Sequence, residues 1–167
     1  IRLAPSIGVQ HLAYDLDEVL GSTVDDTPSI TAPQAQIKFD MVFEKNSTTR
    51  STLEPGIFYV YRDADDQNTL PLFDTGLLTL NRNHLTRDSA FSGYDRLEDT
   101  HQAALYLTHR RFNTQGQETL AATIGQINYF QDASTATNTL SRRNNQSDSS
   151  AIIADIGAKL SSQWQSH

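Results

Sequence analysis

The stretch Thr52-Leu53-Glu54-Pro55-Gly56-Ile57-Phe58-Tyr59-Val60-Tyr61-Arg62 decides how this chain is read. Side chains of an extended strand point alternately to opposite sides, so Leu53, Pro55, Ile57, Tyr59 and Tyr61 share one face. Phe58 and Val60 break the alternation on the other face, which implies that this strand packs on something inside. A loop from Asp63 to Thr100 follows, nearly forty residues long. Structureless loops beyond about 15 residues are uncommon in compact domains unless they are functional. The loop closes with Arg87-Asp88-Ser89-Ala90-Phe91-Ser92-Gly93-Tyr94-Asp95-Arg96. Two further strands come next, about His101 to Phe112 and Glu118 to Phe130. They are joined by Asn113-Thr114-Gln115-Gly116, a tight turn in which Gly116 suits positive φ.

Outward from this centre the same plan repeats. Upstream, Ala32 to Glu44 places Pro33, Ala35, Ile37, Phe39, Met41 and Phe43 on one face. Gln34, Gln36, Lys38, Asp40 and Glu44 fall on the other, with Val42 the exception. A helix would scatter these residues around its circumference; a strand separates them. Lys45 to Arg50 reads as a short polar turn. Leu3 to Tyr14 alternates in the same way, and Asp15 to Ile30 reads as a polar loop. Downstream, Asp132 to Asp148 is another polar loop. Ser150 to Trp164 then sets Ile152, Ala154, Ile156, Ala158, Leu160 and Trp164 against Asp155, Gly157 and Lys159, with Ile153 the exception. The faces of 118–130 stay unassigned, because both carry apolar side chains.

About six strands of ten to thirteen residues result, against a usual length of about five or six in globular sheets. Nine to eleven tilted residues cross a bilayer core. The connections alternate long and short, as in outer-membrane barrels with long external loops and short periplasmic turns. Aromatic residues at Tyr14, Phe43, Tyr59, Tyr61, Phe112, Tyr129, Phe130 and Trp164 sit near strand ends, where a membrane boundary favours them. The expected fold is all-β: an antiparallel up-and-down meander of about six long strands, part of a larger outer-membrane β-barrel. Ile37, Phe39, Met41, Ile152, Ile156 and Leu160 are expected to point outward. Gln34, Gln36, Lys38, Asp40, Asp155 and Lys159 are expected to face a hydrated lumen. The alternative is a soluble β-sandwich carbohydrate-binding module with the long loop as its binding edge.

Composition narrows the function classes. The net charge is −7 without a basic cluster, which argues against nucleic acid. There is no cysteine for a disulfide framework or a thiolate metal site. Asp63-Ala64-Asp65-Asp66-Gln67-Asn68 fails the calcium-loop template where glycine is needed. The histidines lack metal-site spacing, and Gly-x-Ser-x-Gly is absent. The reading is therefore non-enzymatic and without a cofactor. The first residue is Ile1 rather than Met, so a mature or internal fragment is expected.

Three pieces in order resemble the lipopolysaccharide-assembly outer-membrane family LptD, also called OstA. They are Thr52-Leu53-Glu54-Pro55 leading to Tyr59-x-Tyr61-Arg62-Asp63, then Arg87-Asp88-x-x-Phe91-Ser92-Gly93-x-Asp95-Arg96, then Gly125-Gln126-Ile127-x-Tyr129-Phe130-x-Asp132. The resemblance implies an internal fragment of the C-terminal barrel, with residues 1–167 forming one partial transmembrane domain. It implies a location in the bacterial outer membrane and a role in placing lipopolysaccharide in the outer leaflet. Implied partners are lipopolysaccharide, an LptE-like plug lipoprotein, outer-membrane lipid, and the remaining barrel strands and periplasmic jellyroll of the same protein. Arg62, Asp63, Arg87, Asp88, Gly93, Asp95, Arg96, Gly125, Gln126 and Tyr129 are the motif and loop-base positions. Among them Arg87, Asp88, Asp95 and Arg96 are expected to form a charge network fixing the loop base. The loop itself is expected to be folded and docked, on the apolar content of Leu70, Leu72, Phe73, Leu77 to Leu80, Leu85, Phe91 and Tyr94.

Overall fold

The computed structural model describes residues 1–16, 27–65, 67, 70, 72–130, 148–159 and 165–166. The strands are β1 (Arg2–Ala13), β2 (Ser29–Asp40), β3 (Phe43–Asn46), β4 (Arg50–Arg62), β5 (Thr100–Phe112), β6 (Glu118–Tyr129), β7 (Ile153–Lys159) and β8 (Gln165–Ser166). They form one sheet in the order β1-β2-β4-β5-β6-β7-β8, with β3 beside β4. Every pairing is antiparallel and sequential, which is the expected meander. Among the described residues the one helical element is a 3-10 turn, Arg82–Thr86, inside the long loop.

Two strand boundaries differ from expectation. The second segment stops at Asp40 and resumes as β3, yet the register does not slip: Asp40 opposes Gly56 and Phe43 opposes Leu53. The cause is Pro55. The Met41 amide donates to the Pro55 carbonyl at 3.0 Å, but proline has no N–H to return the bond. The reversal then falls at Ser47–Thr49, with Asn46 opposite Arg50. In the last segment, β7 covers Ile153–Lys159 of the expected strand from Ser150 to Trp164, and β8 pairs antiparallel with its end. Leu160 and Trp164 lie outside the described residues, as do residues 17–26 and 131–147 of the two polar loops.

The register sorts the side chains. Directly opposed residues share a face, so the row Leu3, Phe39, Ile57, Leu105 lies on one side of the sheet. Pro55, Leu107, Ile124 and Ala154 make the next such row across β4 to β7. This face is apolar and bare: Ile7 is 89% exposed, Ile57 42%, Leu105 51% and Ile156 62%. Of the residues expected to point outward, Ile37, Ile152 and Ile156 are exposed, and Phe39 and Met41 are partly so.

The opposite face carries the core. Phe58, Val60, Ala104, Ile127 and Ile153 are buried there beneath Leu85 of the 3-10 turn, with Leu80, Tyr106 and Tyr129 at the margin. Phe58, Val60 and Ile153 are the residues that broke the alternation, and the loop seated on them explains why. It also resolves β6: Ala121, Thr123, Gly125 and Ile127 face the loop side, and Leu120, Ala122 and Ile124 the bare side.

One row sets the fit of loop to sheet. Asp40, Gly56, Tyr106, Gly125 and Ile153 oppose one another across β2, β4, β5, β6 and β7. The Tyr106 ring lies over Gly56, where a Cβ would fall 2.2 Å from it. Its hydroxyl donates to Asp40 Oδ1 at 2.6 Å. On the other flank Gly125 leaves a notch for Leu85, whose methyls would lie 2.7 and 2.8 Å from a Cβ there. Gly125→Ala is expected to destabilise the protein by about 1–3 kcal/mol through overpacking. Gly8→Ala, with open space around it, is the neutral comparison. Urea unfolding in detergent, followed by loss of the compact form on unheated gels, reads the difference.

Candidate functional site

The loop between β4 and β5 is held at its base by a buried cation. Arg62, the last residue of β4, is 2% exposed. Its NH2 meets Asp88 Oδ2 at 2.7 Å. Its Nε and NH2 both donate to Gln34 Oε1, at 2.9 and 2.6 Å. Its NH1 reaches the carbonyls of Asp88 and Glu98, at 3.4 and 3.3 Å. One guanidinium therefore ties β2, β4 and both limbs of the loop together. A guanidinium supplies five donors in a fixed fork, which suits such a junction.

Further along, side-chain amides and carboxylates stand in for backbone pairing. Gln67 is fully buried, donates to the Leu97 carbonyl at 2.6 Å and accepts from the Leu97 amide at 3.0 Å. Within the failed calcium template, Gln67 is thus turned inward as a backbone mimic. Arg96, 7% exposed, donates to the carbonyls of Gln67 and Leu70. Asp95 accepts from the Thr75 hydroxyl and, at 2.6 Å, from the Phe73 amide. Leu77 bridges Phe91, making a small hairpin-like arm. Gly93 has φ 80; a Cβ there would sit 2.7 Å from the Asp74 carbonyl oxygen, so only glycine is accommodated. A second apolar group, Ile30, Ala32, Ala64 and Leu97 with Leu12, Tyr14 and Leu70, seats the arm against β1 and β2.

The loop is folded and docked, as expected, but its four charges do not form one network. Asp88 pairs with Arg62, Asp95 takes hydroxyl and amide donors, and Arg87 and Arg96 donate to backbone carbonyls. The physical reason is local: backbone groups of the loop need partners where no ladder reaches them. Among the remaining motif positions, Asp63 is exposed and its amide donates to the Pro33 carbonyl at 3.2 Å. Gln126 donates to the Ser150 carbonyl at 2.9 Å, and the Tyr129 amide donates to Asp148 at 2.8 Å. Both hold the start of β7 against β6.

Beyond the loop the same face opens into a cleft of about 330 Å³, lined by Lys38, Asp40, Glu54, Arg82, Tyr106 and Arg110 among others. Its charges are matched. Lys38 lies 3.9 Å from Asp40, and Arg82 lies 3.7 Å from Asp155. Arg110 spans Glu54 at 3.2 Å and Glu118 at 2.6 Å. Gln34, Gln36, Lys38, Asp40, Asp155 and Lys159 all belong to this face by register. Gln34 is in the loop clamp, Lys38 and Asp40 line the cleft, and Asp155 and Lys159 line a smaller hollow of about 200 Å³ beside it. The sequence reading counted Leu85 among the loop's apolar residues without placing it over Gly125, and it missed the roles of Gln67, Glu98 and the Gly56–Tyr106 pair. Of these only the glycine inside a strand carries a signal, since it marks close approach of another group.

On the bare face, Tyr59, Tyr61, His101 and Phe130 cluster at the loop end. His101 meets Tyr61 edge-on at 5.4 Å and Phe130 at 4.9 Å, and its Nε2 lies 3.0 Å from the Tyr59 hydroxyl.

The sequence profile described as "LptD: LPS transport system D" matches residues 2–167. The chain is 35% identical over 167 residues to the LPS-assembly protein LptD of Nitrosococcus oceani, covering 96% of this chain and 22% of that protein. It is 37% identical over 149 residues to the protein of the same name from Shewanella oneidensis, covering 85% and 19%. With that of Xanthomonas axonopodis pv. citri it is 31% identical over 178 residues, covering 97% and 22%. The chain therefore spans about a fifth of the length of the relatives it matches.

Two outcomes test the clamp. Asp88→Ala leaves a buried guanidinium short of its counter-charge and is expected to cost about 2–4 kcal/mol, somewhat below the roughly 3–5 kcal/mol for a fully buried pair because Asp88 is 34% exposed. The Leu78 and Ser92 amides, bonded across the arm, should then exchange much faster than in the parent. The second outcome concerns pH. Burial alone would push the Asp95 carboxyl up, but the bonds from Thr75 and the Phe73 amide outweigh it and hold the group at about 2. A depressed carboxyl stabilises fully above its unfolded value of about 3.9 and loses that contribution as the folded group titrates. The Phe73 amide should therefore lose protection between about pH 4 and pH 2, and Asp95→Ala should abolish that acid step.

Proposed function

This chain belongs to the LptD family, and from that premise we propose that it forms part of the wall of an outer-membrane β-barrel that delivers lipopolysaccharide to the outer leaflet. The role is structural and transporting rather than catalytic, and residues 1–167 act as one partial barrel domain. The observation that carries this reading is the two-sidedness of the sheet. One face is apolar and bare across β1 to β7, while the other is polar, charge-matched and covered in part by the loop. Lipid fits the first face and a hydrated lumen the second. A β-sandwich would cover the apolar face with a second sheet; among the described residues there is none.

The Tyr59–Tyr61–His101–Phe130 cluster fits the boundary of such a bilayer at the loop end, with Phe43 exposed near the turn end. From Leu53 to Tyr61 the strand advances roughly 27 Å at ~3.4 Å per residue, close to the apolar band of about 25 Å on outer-membrane barrels. The loop end then faces the cell exterior and the turns the periplasm. The cleft offers donors and acceptors of both signs with its cations each paired to an acid, which suits the passage of a saccharide better than its capture. The edges of the sheet pair with the rest of the barrel, since open edges are not tolerated in lipid. An LptE-like plug lipoprotein meets the loop-bearing face.

Ile57→Arg and Ile156→Arg, at mid-strand on the bare face, are each expected to cost about 2–4 kcal/mol in a bilayer. In cells, assembly of the full-length protein into the outer membrane should fall. Normal levels of both variants in outer-membrane fractions would contradict the lipid contact.

A further inference from the structure

Two clefts of the loop-bearing face differ in how their cations are paired. In the inner cleft Lys38, Arg82 and Arg110 each sit against a carboxylate. A second cleft of about 380 Å³ lies at the loop end, between β1 and the arm, lined by Gln10 and Leu12 on one side and Arg62, Arg87, Asp88 and Arg96 on the other. Arg62 and Asp88 cancel at 2.7 Å. Arg87 and Arg96 form no ion pair among the described residues; their bonds run to the carbonyls of Phe91, Gln67 and Leu70. A surplus of positive charge is thus concentrated in one cleft of a chain whose net charge is −7. Arg96 is 7% exposed, and its Nε has no hydrogen-bond partner among the described residues. A buried donor left unsatisfied is costly, and hydrogen bonds to a charged acceptor are the strong ones.

We propose that this rim cleft between β1 and the loop binds an anionic group, phosphate or carboxylate, borne on a saccharide. Arg96 supplies a fixed cationic floor, held in place by the carbonyls of Gln67 and Leu70. Arg87 is exposed and tied by one bond of 3.4 Å, so it is free to swing onto the ligand. Gln10 and Ser89 provide neutral polar groups for hydroxyls. Tyr94, 86% exposed at the mouth beside Gly93, offers a ring for the apolar face of a sugar. The choice of a saccharide rests on the transport reading above; the anionic chemistry rests on the arginines.

Full-length protein in its complex, with a photo-reactive residue in place of Gln10, tests the site against purified lipopolysaccharide. A second probe at Lys38 reports on the inner cleft. Gln10 is expected to capture native lipopolysaccharide. Arg87→Glu should lower that capture by about tenfold, the scale of one charge-assisted bond, while Arg87→Lys keeps most of it. Loss on dephosphorylating the lipopolysaccharide assigns the group as phosphate; retention with continued sensitivity to Arg87→Glu assigns a carboxylate. Competition by N-acetylglucosamine 1-phosphate, at concentrations where inorganic phosphate fails, supports the saccharide; equal competition by inorganic phosphate overturns it. Capture indifferent to Arg87→Glu, or capture of a protein instead, overturns the site. Capture at Lys38 without capture at Gln10 removes the rim site and leaves the transport reading standing. Capture at neither removes both.

Discussion

The buried guanidinium of Arg62 is the junction on which this structure depends. A loop of nearly forty residues gains nothing from ordering unless its own polar backbone finds partners. Arg62 provides them at the point where strand becomes loop, with Asp88 balancing its charge and Gln34 fixing its plane. Burying a charge costs several kcal/mol, so the arrangement holds only with all partners present. That requirement favours one loop position over others, because Asp88, Gln34 and the Glu98 carbonyl must all reach one cation.

The apolar fit follows from the clamp. With the loop base held, Leu85 comes down on the notch at Gly125, and Phe58, Val60, Ala104, Ile127 and Ile153 close around it. Tyr106 completes the row by lying over Gly56 and bonding to Asp40. The glycines weaken their strands slightly by entropy, and the ring and the leucine that replace their missing side chains offset this. A core built on one side leaves the other side free to be uniformly apolar, which is what contact with lipid requires.

The placement of charge follows the same division. Deep in the face, each of Lys38, Arg82 and Arg110 meets an acid, so the cations of the cleft are paired. At the rim, the arm's arginines are anchored by carbonyls, which hold them in place without cancelling their charge.

Sequence alone determined the strands, because a period of two is dictated by backbone geometry and is visible without neighbours. The faces of β1, β2 and β4, the tight turn at Gly116 and the docking of the loop were legible for that reason, and three motifs in order pointed to the family. The break at Met41–Val42 was hidden because it comes from Pro55 on the facing strand, and the faces of β6 because its inward apolar side chains answer to Leu85. Which partner each loop charge takes was decided only in three dimensions: Arg62 and Asp88 are far apart in the chain, and nothing local distinguishes an arginine that meets an aspartate from one that meets a carbonyl. Alternation is a property of one strand, whereas partnership is a property of the register between strands and of the loop laid across them.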